Sequence, residues 1–150
     1  MTHHLVRRAK ASDLPEILDM VHALAAHHGD TAAVTLNDLR RDLMGDHPWV
    51  IALVASGDDG LAGYAVLCPL VQMQYGVRGM DMHHLFVQAS ARGCGLGQAL
   101  VEGCKSEVQS LGCRYMVVGT HPENAAAGAF YRAAGFDDMP PPGPRFRIRL

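Results

Sequence analysis

Hydrophobic and polar positions alternate with two distinct periods along this chain, and the change of period marks its elements. Leu5 to Arg8 reads as a short strand. Leu14, Ile17, Leu18, Val21 and Leu24 then repeat at helical spacing and predict an amphipathic helix. Ser12 or Asp13 is placed to cap it, with Glu16 three residues after Asp13 as in a capping box, and Gly29 ends it. Thr35 caps a second, shorter helix that carries Leu36, Leu39 and Leu43. Trp49 to Ala55 is an apolar strand, and Ser56-Gly57-Asp58-Asp59-Gly60 returns the chain into Leu61 to Leu70, a hairpin by composition.

The second half follows the same logic. Met80 to Val87 is a strand feeding a glycine-rich turn. Leu100, Val101, Cys104, Val108 and Leu111 make a helical stripe that Gly112 stops. Arg114 to Gly119 reads as a strand, Asn124 to Ala134 as a helix ended by Gly135. Arg145 to Leu150 alternates Arg, Phe, Arg, Ile, Arg, Leu, the pattern of a half-buried strand. The order β-α-α-β-β-β-α-β-α-β predicts a mixed sheet with helices on both faces.

Composition narrows the class. The 150 residues suit one domain spanning 1–150, and 49% apolar with 19% charged residues describes an ordinary soluble globule. A net charge of −2 argues against a nucleic-acid binder. Cys68, Cys94, Cys104 and Cys113 form no Cys-x-x-Cys pair, so free thiols in a reducing cytoplasm are the expectation. Arg7, Arg8 and Lys10 are followed by no apolar run long enough for a signal peptide, and no stretch of about 20 apolar residues predicts a membrane span. Pro140-Pro141-Pro142-Gly143-Pro144 is the one compositional break, a stiff connector. The nine histidines show no His-x-x-x-His spacing, and the adjacent pairs His27-His28 and His83-His84 seldom serve one ion, so no metal is expected.

The densest chemical signal is VQASARGCGLGQAL at 87–100. Gly93, Gly95 and Gly97 leave few Cβ atoms in the way of a bulky anion, and the following helix offers unpaired N–H groups and a partial positive charge. Together these make a cradle for a phosphate or pyrophosphate; the alternative is a turn that only reverses the chain. A Walker loop would end in Gly-Lys-Ser/Thr, but Gln98 follows Gly97. A dinucleotide fingerprint would space its glycines differently and add an acidic residue about 20 positions on. The pattern Arg/Gln-x-x-Gly-x-Gly/Ala is filled by Arg92, Gly95 and Gly97.

With that motif the chain resembles the GNAT superfamily of N-acetyltransferases, which bind acetyl-CoA. Residues 124–136, NAAAGAFYRAAGF, are similar to a second family segment, matched by Asn124, Ala127, Phe130, Tyr131, Gly135 and Phe136. The run LVRRAKASDLPEILDMVHALA and the segment HHLFV are similar to the spermidine/spermine acetyltransferase branch. The resemblance implies an α/β (α+β) fold with a mixed, mostly antiparallel sheet flanked by helices on both faces. It implies acetyl-CoA as donor substrate and transfer of the acetyl group to a primary amine of a small molecule.

The site residues follow position by position. The resemblance assigns the CoA pyrophosphate to the backbone of Arg92, Gly93, Cys94, Gly95, Leu96, Gly97 and Gln98. It assigns the pantetheine arm to the backbone of Leu85, Phe86 and Val87, where an N–H polarises the thioester carbonyl. Their side chains read equally as plain core. Tyr131 matches the family's general acid, a phenol protonated at neutral pH; outside the motif it reads as a helix tyrosine packing its ring. Asn124 is a helix cap, and in the family the matching residue also touches CoA.

The base departs from the pattern, because the polyamine branch has a glutamate where this chain has His83. Strand alternation predicts His83 and His84 on opposite faces. A histidine with a pKa near 6.5 can relay the proton of an ammonium at pH 7 to 8, so His83 is the candidate base or acceptor contact, with a structural strand histidine as the other reading. Loss of the glutamate weakens the case for a polyamine. Gln72, Gln74, Tyr75, Asp81, His27, His28 and Asp30 are further candidates for the acceptor side or plain solvated residues.

Three other readings stay open: a protein N-terminal or lysine acetyltransferase, a non-catalytic acyl-CoA sensor, and an enzyme for a longer acyl donor. Several members of this superfamily are dimers, so the resemblance implies a homodimer, with the C-terminal strand able to pair in trans. Arg145, Arg147 and Arg149 then face solvent, a partner or CoA phosphate.

Overall fold

The computed structural model describes residues 3–150, in two compact units, one reaching to Gly119 and one from Thr120 to Leu150. In the first unit, β1 (Leu5–Arg8), β2 (Ile51–Gly57), β3 (Gly60–Gln72), β4 (Val77–Val87) and β5 (Tyr115–Val117) form one sheet in sequential order. The first three pairings are antiparallel and β4–β5 is parallel, so the sheet is mixed and mostly antiparallel, as expected. Helices α1 (Leu14–His27) and α2 (Leu36–Met44) precede β2, and α3 (Leu96–Ser110) links β4 to β5. The second unit holds α4 (Ala125–Ala133).

Two apolar clusters flank the sheet. Leu14, Ile17 and Met20 of α1 pack with Val54, Leu61, Tyr64 and Phe86, and Leu36, Leu39 and Leu43 of α2 close over them. On the other side Leu96 and Leu100 of α3 pack with Ala55, Ala62, Leu85 and Val87. Helix α3 lies close to the strands because Gly103 has no side chain; a Cβ there would stand 2.5 Å from Val6 Cγ1.

The cap of α2 is as the sequence predicts: the Asp38 N–H donates to Thr35 Oγ1 at 3.2 Å and the Thr35 N–H to Asp38 Oδ2 at 2.9 Å. The start of α1 differs. Asp13 stands at the cap position of α1, as expected, but its side chain makes no cap bond to that helix; a 3-10 turn over Ala11–Asp13, capped by Lys10, runs into it. Asp13 is buried and accepts from the Arg7 guanidinium (2.7 and 3.1 Å) and the Lys10 N–H (2.7 Å). Glu16 does not reach back to Asp13; its Oε2 accepts the Leu61 N–H at 2.8 Å and ties α1 to the β2–β3 hairpin.

Other boundaries also move. Trp49 and Val50 precede β2 rather than joining it, and Trp49 is exposed. Strands β3 and β4 extend past the apolar run and meet at a 3-10 turn over Met73–Tyr75, while β5 is shorter than Arg114 to Gly119. The expected strand at Arg145 to Leu150 does not form. Those residues carry no strand, and Phe146, Ile148 and Leu150 are exposed. Alternation marks a segment able to pair, but whether it pairs is decided by residues far along the chain and not by its own pattern. Among the described residues no helix is long and apolar enough to cross a membrane.

Candidate active site

The glycine turn leaves β4 through a 3-10 turn at Ala89–Ala91 and enters α3 at Leu96. Gly93 and Gly95 both have φ +81°, the left-handed region that side chains disfavour. A Cβ on either would meet open space, so backbone conformation rather than crowding within the chain requires glycine there. The first helical N–H to find a carbonyl is that of Ala99, bonded to Gly95 O at 3.0 Å. The N–H groups from Gly93 to Gln98 before it donate to no other group among the described residues. Exposed donors at a helix N-terminus beside open space fit a pyrophosphate. Arg92 braces this turn: its Nε donates to Val87 O at 3.1 Å, and its guanidinium stands 5.9 Å from the Phe86 ring centre. Cys94 Sγ donates to Ala91 O at 2.8 Å.

Strand β4 pairs with β5 only from Gly79 to Asp81. Beyond Asp81 no strand of the sheet pairs with β4 on its β5 side, so Leu85, Phe86 and Val87 have a strand partner, β3, on one side only. The side chains are core, as the second reading of these residues has it. Phe86 joins Tyr64 on the α1 side, and Leu85 and Val87 pack on the α3 side.

The two histidines of β4 depart from strand alternation. Val66 pairs with His84 and Leu67 with Met82, which leaves His83 as the extra residue of a β-bulge. The bulge turns both rings to one side, where they stack at 4.5 Å and 13°. His84 Nδ1 lies 2.9 Å from the Tyr64 hydroxyl. Burial pushes the His84 pKa down to about 4, with His83 and His28 adding to the shift. Burial also raises the Tyr64 pKa, so the phenol keeps its proton and can donate it to Nδ1. His84 then carries its own proton on Nε2 and is neutral at pH 7. His83 is the more exposed ring.

Sequence reasoning missed Tyr64, whose position in an unbroken apolar strand gives no sign of a polar partner, and it missed the bulge. Gln72, Gln74 and Tyr75 sit exposed at the β3–β4 turn, and His27, His28 and Asp30 are exposed after α1. Of these, His28 acts electrostatically on His84, and Asp81 sits at the last β4–β5 pair.

In the second unit, Asn124 caps α4, its Oδ1 accepting the Ala127 N–H at 3.0 Å. The Tyr131 ring lies edge-on to Phe130 (5.3 Å) and Phe136 (5.5 Å), and the Phe136 N–H donates to Tyr131 O at 3.0 Å. The motif's aromatic residues thus hold one another around Tyr131. Burial pushes the Tyr131 phenol above its ordinary pKa and keeps it protonated.

Comparison with known proteins agrees with this geometry. A model of the acetyltransferase (GNAT) family matches residues 14–136. An L-methionine sulfoximine/L-methionine sulfone acetyltransferase of Pseudomonas paraeruginosa is 31% identical over 153 positions, covering 94% of this chain and 86% of that protein. Human spermidine/spermine N(1)-acetyltransferase-like protein 1 is 26% identical, over 93% of this chain and 21% of its own length, a weaker likeness. The structure of aminoglycoside N-acetyltransferase AAC(6')-Iy in complex with CoA superposes with a TM-score of 0.81 at 23% identity, covering 100% of this chain and 97% of that one, and shows the same fold. The family match spans both sequence motifs and most of the sheet, and the chain belongs to the acetyltransferase (GNAT) family as an acetyl-CoA-dependent N-acetyltransferase.

Proposed function

We propose that this enzyme acetylates the amine of a small, amino-acid-like metabolite, with acetyl-CoA held by the backbone from Gly93 to Gln98 and along Leu85 to Val87. The observation that carries the reading is the run of unpaired N–H groups at the start of α3, which follows the part of β4 that has no β5 partner. Two observations favour an amino-acid-like acceptor. The relative that shares 31% identity is named for amino-acid analogues. The β4 position that is a glutamate in the polyamine branch is His83, so that anionic contact for a polycation is missing.

In this reading the amine nitrogen attacks the thioester carbonyl carbon and the carbon–sulfur bond breaks. His83, directly or through water, takes the proton the amine gives up. The β4 backbone N–H of Phe86 or Val87 holds the carbonyl oxygen as charge develops. Tyr131 gives its proton to the departing thiolate and regains one from solvent. Asn124 caps α4 and contacts the CoA arm. His84 is too weakly basic for the base's role; its bond to Tyr64 fixes the ring on which His83 stacks. The free thiols Cys68, Cys94, Cys104 and Cys113 support a reducing, cytoplasmic setting, and a homodimer is the assembly we infer.

The test is CoA thiol release with the purified chain and acetyl-CoA, across free amino acids and their analogues, diamines, polyamines and short peptides. Turnover highest on an amino-acid-like amine supports the assignment. Turnover confined to peptides establishes a protein acetyltransferase, and CoA binding without any turnover establishes a sensor.

A further inference from the structure

The pair Tyr64–His84 sits at the β4 bulge, one residue before the Leu85 to Val87 stretch, and the steps above leave the second nitrogen of His84 without a task. Tyr64 is 0% exposed, and among the described residues His84 Nδ1 is the one partner of its hydroxyl. A buried O–H with no acceptor is costly, whereas an oxygen lone pair left over is tolerated. The phenol therefore donates to Nδ1, and the ring's own proton is fixed on Nε2. A free imidazole exchanges between its two tautomers; here a partner on β3 selects one.

The Nε2–H donor has no acceptor of its own among the described residues. No buried side-chain nitrogen or oxygen among them lacks a partner, so Nε2 is not sealed in the core. The charges that act on this ring belong to two other histidines, His83 stacked on it and His28 at the end of α1. Among the described residues none of the three forms an ion pair with a carboxylate. The place thus offers a fixed, neutral N–H with two rings that can gain positive charge, and no acid. That set suits an oxygen anion.

We propose that His84 selects the acceptor: its Nε2–H donates to the carboxylate carried next to the reacting amine, and Tyr64 is the positioning residue that keeps the proton on that nitrogen. This rests on the reading of the acceptor as amino-acid-like and names the residue that recognises it. A neutral donor also suits the reaction. It brings no negative charge that would hold the amine as ammonium, and a second ammonium, which has no lone pair, gains nothing from it.

Two measurements test this. Long-range hydrogen–nitrogen NMR of the imidazole rings at pH 7 reads the tautomer without any substrate. The expected result is His84 as the Nε2–H form, passing to a mixture in Tyr64→Phe. A ring found as the Nδ1–H form overturns the proposal. The second measurement is CoA thiol release on pairs of amines that differ only by a carboxylate, each an amino acid and its decarboxylated amine. The expected preference for the amino acid shrinks by about tenfold or more in His84→Phe, through the KM of the amino acid and not that of acetyl-CoA. His84→Phe keeps a ring for His83 to stack on, and the double variant Tyr64→Phe/His84→Phe removes both polar groups together, so that no buried hydroxyl is stranded. A preference that survives in both folded variants overturns the role of His84 and leaves the amino-acid-like acceptor standing. Turnover of no carboxylate-bearing member of any pair overturns both.

Discussion

The Tyr64 hydroxyl meets His84 Nδ1 at 2.9 Å, joining the centre of β3 to the bulged region of β4. One partner is fully buried and the other half-buried, and the stacked ring of His83 rests on the pair. Removing the hydroxyl by Tyr64→Phe leaves a polar ring nitrogen without its partner, at a cost of about 1 kcal/mol in stability. The loss also frees the His84 ring, so kcat falls several-fold while the KM for acetyl-CoA is unchanged. Urea melts and steady-state kinetics on the one variant check both.

The same pair makes stability depend on pH. The His84 pKa lies near 4 in the folded chain and near 6.5 when unfolded, so between these values the unfolded state binds more protons. Stability therefore falls as pH drops from about 6.5 toward 4, by on the order of 1 kcal/mol for a ring that is part exposed. His84→Asn keeps a polar partner for Tyr64 and flattens that part of the slope, measured as melting temperature from pH 7 to 4.5.

Arg7 and Asp13 fasten β1 to the start of α1 through a two-pronged ion pair on a buried carboxylate. The Arg7 hydrogen bonds hold the Asp13 pKa below the ordinary carboxylate range. Asp13→Ala strands the guanidinium and costs about 2–4 kcal/mol, read as a drop in the denaturant midpoint. In the native chain this contribution is full above the unfolded carboxylate pKa and disappears as pH falls through the lower folded value.

Tyr131→Phe separates chemistry from binding. The phenol's proton is lost while the ring keeps its packing on Phe130 and Phe136. The expected result is a fall in kcat of about a hundredfold or more with acetyl-CoA affinity unchanged. His83→Gln lowers kcat to a similar degree. Unchanged turnover in either variant removes that residue from the mechanism.

What was legible in the sequence follows the range of the forces involved. The glycine turn and the Thr35 and Asn124 caps are local devices, in which a positive φ or a cap bond is decided by residues within a few positions. Asp13 does stand at the cap position of α1, but its carboxylate is held by Arg7 of β1, a partner that local spacing does not show. The bulge at His83 comes from a one-residue offset between β3 and β4, which leaves no mark on either strand read alone. The alternation of Arg145 to Leu150 was legible, yet no strand forms there, because pairing depends on residues outside the segment.

The cradle makes a graded prediction. Gly95→Ala forces a Cβ into the left-handed region, at about 1 kcal/mol in stability, and places it in the open space over the turn. Affinity for acetyl-CoA falls tenfold or more by calorimetry, although no contact within the protein is lost.

The most direct measurement is a thermal melt of the full chain with and without acetyl-CoA. At about 100 times its dissociation constant the donor adds roughly 2.7 kcal/mol, which raises the melting temperature by roughly 5–10 °C. That rise, reduced at the same donor concentration in Gly95→Ala, is the predicted result. A folded protein whose melting temperature does not move at millimolar acetyl-CoA contradicts the cradle, and the assignment of Gly93 to Gln98 falls with it.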